Sequence, residues 1–101
     1  MKLYPELIAI LLLSGIMSTV AAEGDPAAGK EKSAICVACH GSDGISPNDL
    51  WPNLAGQKYG YIVKQLKALR DGTRTDPMMS PMAQPLSDED IEDLAAYFSS
   101  L

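Results

Sequence analysis

Histidine occurs once in this 101-residue sequence and cysteine twice. A structural zinc site wants four nitrogen or sulfur ligands, so Cys36, Cys39 and His40 cannot complete one between them. Basic charge is scarce as well: beyond residue 22, seven Lys and Arg stand against twelve Asp and Glu, a net −5. Nucleic-acid binding needs a basic face to meet the phosphates, and this balance argues against it. No sustained alternation of β-branched residues and no internal repeat occurs, which leaves nothing to build a sheet. The apolar run at residues 7–20 is shorter than the ~20 residues a helix needs to cross a bilayer.

That run has a different use. Lys2 and the amino terminus precede it with positive charge, and Val20-Ala21-Ala22 has the small residues of an export cleavage site. Pro5 and Glu6 are untypical of a charged signal start, and no cysteine lies near residue 22 to take a lipid anchor. We read residues 1–22 as a cleaved secretory signal and residues 23–101 as one domain of a periplasmic protein. A domain of that size is short of apolar core and usually needs a disulfide, a metal or another covalent staple.

Within the domain, Asp25-Pro26 has the form of a helix start, with Asp as N-cap and Pro at the first helical position. A first helix then runs through residue 34 into the cysteine segment. Residues 41–56, rich in Gly, Pro, Ser, Asn and Asp, read as a long loop. Ile62, Leu66 and Leu69 recur at helical spacing in residues 58–71, and Gly72 follows in the usual C′ position, predicting a second helix. Residues 73–85 hold Pro77, Pro81 and Pro85 and are expected to be a second loop, carrying Met78, Met79 and Met82. Ser87 and the acids Asp88, Glu89 and Asp90 mark the start of a third helix, with Ile91, Leu94, Ala95, Phe98 and Leu101 as its apolar stripe. The fold class is therefore all-α: three main helices and two long loops, each helix too short to stand alone and needing a common object to pack on.

Cys36-Val37-Ala38-Cys39-His40 is a C-x-x-C-H pattern, the attachment site of a c-type haem. Residues three and four apart share a face of a helical turn, so both sulfurs can reach the vinyl edges of one haem while His40 points at iron. A thioredoxin-like dithiol would sit beside a βαβ pattern, which is absent, and a disulfide between Cys36 and Cys39 would close a strained, tiny loop. With no second histidine, the sixth iron ligand is a methionine or nothing. A methionine gives a six-coordinate electron carrier of raised potential, whereas an open position admits small ligands. Met78, Met79 and Met82 all remain candidates on this reading, and at least one of them is a core filler.

Together these segments resemble a class I cytochrome c, of the short bacterial type grouped with cytochromes c-four and c-five. The resemblance spans residues 24–101 and is carried by Gly29, by Cys36-Val-Ala-Cys-His-Gly-Ser-Asp-Gly, by Trp51-Pro-Asn-Leu-Ala-Gly-Gln, by Tyr61 through Gly72, by Met79-Ser-Pro-Met82 and by Leu86-Ser-Asp through Tyr97-Phe98. It implies one covalent haem c, a Pro52 carbonyl that accepts the hydrogen bond of the His40 imidazole, and Gly29 packed closely on Tyr97 where the first and last helices cross. It also implies Met79 as axial ligand, the first methionine of a Met-x-x-Met pair lying eight residues before the Ser87 cap, with Met82 the second candidate. Trp51 is either haem-edge packing or part of a partner-facing patch. Unlike the c-four pattern, this chain has a single C-x-x-C-H.

The function expected is transfer of one electron at a time between larger redox proteins, with no substrate transformed. Partners are a donor reductase or dehydrogenase and an acceptor oxidase or reductase. The alternative is a haem-bearing, electron-accepting subunit of a dehydrogenase; an enzymatic or gas-sensing haem would require an open iron. Without a cofactor, a hollow lined by Leu54, Ile62, Leu66 and the methionine segment is expected.

Overall fold

The structure is a computed structural model that describes residues 24–101, so the expected signal and its cleavage point lie outside the described residues. Five α-helices and one 3-10 turn are present among these residues, and no strand. Asp25 caps α1 (Pro26–Lys32), its carboxylate accepting the N–H of Ala27 at 3.0 Å. The first helix stops two residues earlier than the sequence suggests: a 3-10 turn, Ser33–Ile35, breaks it before the short α2 (Val37–His40).

Residues 41–56 form the expected loop, and its order comes from backbone bonds. The Gly44 carbonyl accepts the N–H of Leu54 at 2.8 Å and of Ala55 at 3.0 Å, and Gly56 N–H donates to the Phe98 carbonyl at 2.9 Å. Next comes α3 (Tyr59–Asp71), ended by Gly72 at φ 86°, a left-handed conformation that glycine adopts without a Cβ penalty.

The second loop departs from expectation. Within residues 73–85 the chain makes a helical turn, α4 (Met79–Ala83), despite Pro77 and Pro81. Pro81 removes one backbone bond from that turn. The turn keeps the bonds from Ser80 N–H to the Asp76 carbonyl, 3.0 Å, and from Gln84 N–H to the Ser80 carbonyl, 3.1 Å.

Last is α5 (Asp88–Ser99), opened by a reciprocal capping box: Ser87 Oγ accepts the N–H of Asp90, and Ser87 N–H donates to the Asp90 carboxylate, each at 3.0 Å. Ile91, Leu94, Ala95 and Phe98 are buried as their spacing predicts. Leu101 is the exception: the helix ends before it and it is 45% exposed.

The core lies where α5 meets α1 and α3. Burying Phe98, Ile91 and Leu94 stabilises by ~1.5–3 kcal/mol each. The expected contact at the crossing of α1 and α5 is present. A Cβ built on Gly29 would stand 1.9 Å from the Asp93 carbonyl oxygen and 2.8 Å from Tyr97 Cβ, so only glycine fits there. Tyr97 is buried and lies 5.1 Å, ring centre to ring centre, from Phe98. Lys32 of α1 reaches Asp93 at 2.7 Å and Asp90 at 2.9 Å on α5, while Asp93 also accepts the N–H of Asp25 at 2.8 Å. On the other flank Arg70 of α3 pairs with Asp88 at 2.7 Å. Among the described residues, no helix is long and apolar enough to cross a membrane.

Candidate functional site

The i to i−4 bond from His40 N–H to the Cys36 carbonyl, 2.9 Å, puts Cys36, Cys39 and His40 on one turn, as the motif spacing requires. All three side chains line a cleft of about 790 Å³, within the ~300–1,000 Å³ typical of cofactor pockets. His40 is 6% exposed, and its Nδ1 lies 2.7 Å from the Pro52 carbonyl oxygen. A carbonyl only accepts, so Nδ1 is the donor, and in the neutral ring the lone pair is on Nε2. The 41–56 loop holds that carbonyl in place through its bonds to Gly44 and through Asn53, whose side-chain oxygen accepts Ser46 N–H at 2.7 Å.

Burial pushes the Cys36 thiol up to about 11. A thiol held neutral is the opposite of the depressed, exposed thiolate of a dithiol redox enzyme. Among the described residues, no three His, Cys, Asp or Glu side chains converge as metal ligands.

The floor of the cleft is the core itself, with Leu54, Ile62, Leu66, Leu69, Leu94 and Phe98 facing it. Met78, Met79 and Met82 line it too, which places the expected hollow and the expected methionine segment together. The three differ in exposure: Met78 is 56% and Met82 39% exposed, whereas Met79 is partly buried. Trp51 is partly buried and lines the cleft.

Residues outside the sequence motifs also reach the cleft. Arg74 and Gln65 line it and are joined by a 3.0 Å bond. Asp76 lines it as well, its carboxylate held below the usual range by the backbone N–H groups of Met79 and Met78. Asp76-Pro77 has the residue types of the Asp25-Pro26 helix start, although the residue directly before α4 is Met78.

These residues fit a haem. The cleft is deep and mostly apolar, two sulfurs and an imidazole with a free Nε2 stand on one turn, and methionine thioethers line the same space. Comparison with known proteins agrees. The cytochrome c family profile matches residues 26–101. Cytochrome c-554(548) of Halomonas halodenitrificans is 54% identical over 80 residues, covering 76% of this chain and 96% of that protein. Cytochrome c4 of Pseudomonas aeruginosa is 47% identical over 94 residues, covering 93% of this chain and 47% of the relative. The crystal structure of reduced recombinant cytochrome c4 from Pseudomonas stutzeri matches with a TM-score of 0.73 and 48% identity, over 76% of this chain and 45% of that one. A Thiomonas intermedia protein named thiosulfate dehydrogenase electron acceptor is 42% identical over 82 residues, covering 80% of this chain and 38% of the relative. The chain spans about half the length of the curated cytochromes c4 that it matches. With its C-x-x-C-H turn set in an apolar cleft and its helical fold shared with these relatives, the chain belongs to the cytochrome c family and binds one haem c covalently.

Proposed function

We propose that this protein carries single electrons between larger redox proteins outside the cytoplasm, with Cys36 and Cys39 binding the haem through thioethers and His40 and Met79 ligating its iron. Bound haem supplies a one-electron couple, and His/Met ligation raises its potential. The observation that carries the reading is that the cleft lined by Cys36, Cys39 and His40 is also lined by a partly buried methionine, Met79. The chain's part is to hold both axial side chains still, so that little reorganisation opposes the electron. Pro52 fixes the His40 ring, and bonds of this kind set ligand orientation and basicity. Met82 is the second choice for the sixth position.

The test is to change Met78, Met79 and Met82 to Leu one at a time and examine the ferric protein. Loss of the sulfur-to-iron charge-transfer band, with a fall in potential, is expected for Met79→Leu alone. The same loss in Met82→Leu instead would move the ligand to Met82. Rapid carbon monoxide binding by the ferrous wild type at neutral pH would point to an open iron and overturn the carrier reading. Location is tested by cell fractionation: holoprotein is expected in the periplasmic fraction without residues 1–22.

A second reading is favoured by the name of the Thiomonas relative, an electron acceptor of thiosulfate dehydrogenase. On that reading the protein is the haem-bearing subunit of a dehydrogenase complex. Gel filtration of a native extract separates the two, since only a permanent subunit co-elutes with dehydrogenase activity.

A further inference from the structure

We propose that Asp76 is the positioning residue for the methionine ligand, its carboxylate fixing the turn that carries Met79 into the haem cleft. The inference rests on the reading of Met79 as axial ligand. One carboxylate oxygen of Asp76 accepts two backbone N–H groups, from Met78 at 2.9 Å and from Met79 at 2.8 Å. The arrangement is reciprocal, because Asp76 N–H donates to Ser80 Oγ at 2.9 Å and Ser80 N–H donates to the Asp76 carbonyl at 3.0 Å. That last bond is the i to i−4 bond leading into α4, so Asp76 clamps the turn from two residues ahead of Met78, the residue at the N-cap position.

Apart from its packing against α3, the turn has little else to hold it. α4 is five residues long, contains Pro81, and has no side-chain cap at Met78, the residue directly before it. A single turn of this kind is unfavourable on its own. Its one fully buried residue is Ala83, a small anchor beyond the methionines. The side-chain clamp therefore falls on Met79 itself, through its own backbone N–H, and Asp76 also faces the cleft. Thioether sulfur is a weak ligand placed by its backbone, so loosening this clamp loosens the bond to iron.

Holoprotein made from the full chain with Asp76→Ala, Asp76→Asn, Ser80→Ala and, in parallel, Met79→Leu tests this. In Asp76→Ala the ferric charge-transfer band should weaken, and carbon monoxide should bind the ferrous form roughly fivefold or more faster, the factor that loss of a cap corresponds to. Asp76→Asn keeps an acceptor oxygen and should keep the band. A wild-type band and carbon monoxide rate in Asp76→Ala overturn the proposal, as does loss of the band in Asp76→Asn. Should Asp76→Ala yield no holoprotein, Ser80→Ala decides: a weakened band supports the clamp and an unchanged one overturns it. Met79→Leu separates the two levels. If it retains the band, Met79 is not the ligand; if it alone loses the band, only the role of Asp76 fails.

Discussion

His40 is the residue on which most depends. Its ring is almost wholly enclosed, its Nδ1–H is committed to Pro52, and its one remaining lone pair is on Nε2. Removing the ring by His40→Ala, or one sulfur by Cys39→Ala, takes away a fixed attachment in a domain whose core surrounds the cleft. Both variants are expected to yield no stable holoprotein, read by haem staining after denaturing electrophoresis and by far-ultraviolet circular dichroism. A His40→Ala chain with native helix content and no haem would show that the haem matters less to the core than the cleft implies. Asp76 illustrates a different kind of residue, one whose importance comes from the backbone groups it holds.

Between elements, the tightest constraint is the crossing of α1 and α5. Gly29→Ala would drive a methyl group into the Asp93 backbone, which cannot yield as a flexible side chain can. Overpacking of this kind costs ~1–3 kcal/mol, and the urea midpoint of the variant should fall accordingly. Ser87→Ala acts at the start of the same helix. It removes one half of a capping box and should cost ~0.5–2 kcal/mol, with no change in the haem spectrum, because the box lies at the surface of α5. If Ser87→Ala shifted the spectrum, α5 and the methionine turn would be more tightly coupled than Leu86 between them implies.

Across the whole molecule, the two ends of the described chain are tied by charge. Asp93 is nearly inaccessible, and its carboxyl is held below the usual range first by Lys32 and then by the N–H of Asp25. A carboxyl whose folded value is depressed adds stability above its unfolded value, ~3.9, and loses it as pH falls through the lower folded one. Stability to urea should therefore be level from neutral pH to about 5 and drop steeply below 4, with a smaller drop in Asp93→Asn. Charge also governs encounter with partners. Lys64 and Lys67 lie on α3 with Lys58 directly before it, while Glu89 and Glu92 lie on α5, so the chain carries exposed charge of both signs despite its net −5. Electron-transfer interfaces are small, commonly under ~1,200 Å². The rate with a physiological partner should change between low and high ionic strength, and a rate independent of salt would remove the electrostatic part of this expectation.

The all-α class, the three main helices with their caps, the haem-attachment turn and the methionine segment were all legible in the sequence, because each depends on contacts within about four residues along the chain. Asp25-Pro26, Ser87 with Asp90, Gly72 and Cys36 to His40 each report their local geometry through residue type and spacing. Proline density misleads in residues 73–85: Pro77, Pro81 and Pro85 predict a loop, and the structure forms a helical turn from Met79. Other features had no local trace. The hydrogen bond between His40 and the Pro52 carbonyl, 2.7 Å in the structure, is implied by family likeness and not by the residues themselves, since it depends on how the 41–56 loop folds back. The relative exposure of the three methionines, the closure of Lys32 on Asp93 and the clash awaiting any side chain at Gly29 depend on which elements pack together. Such contacts join residues far apart in the chain, and only the assembled fold brings them within reach.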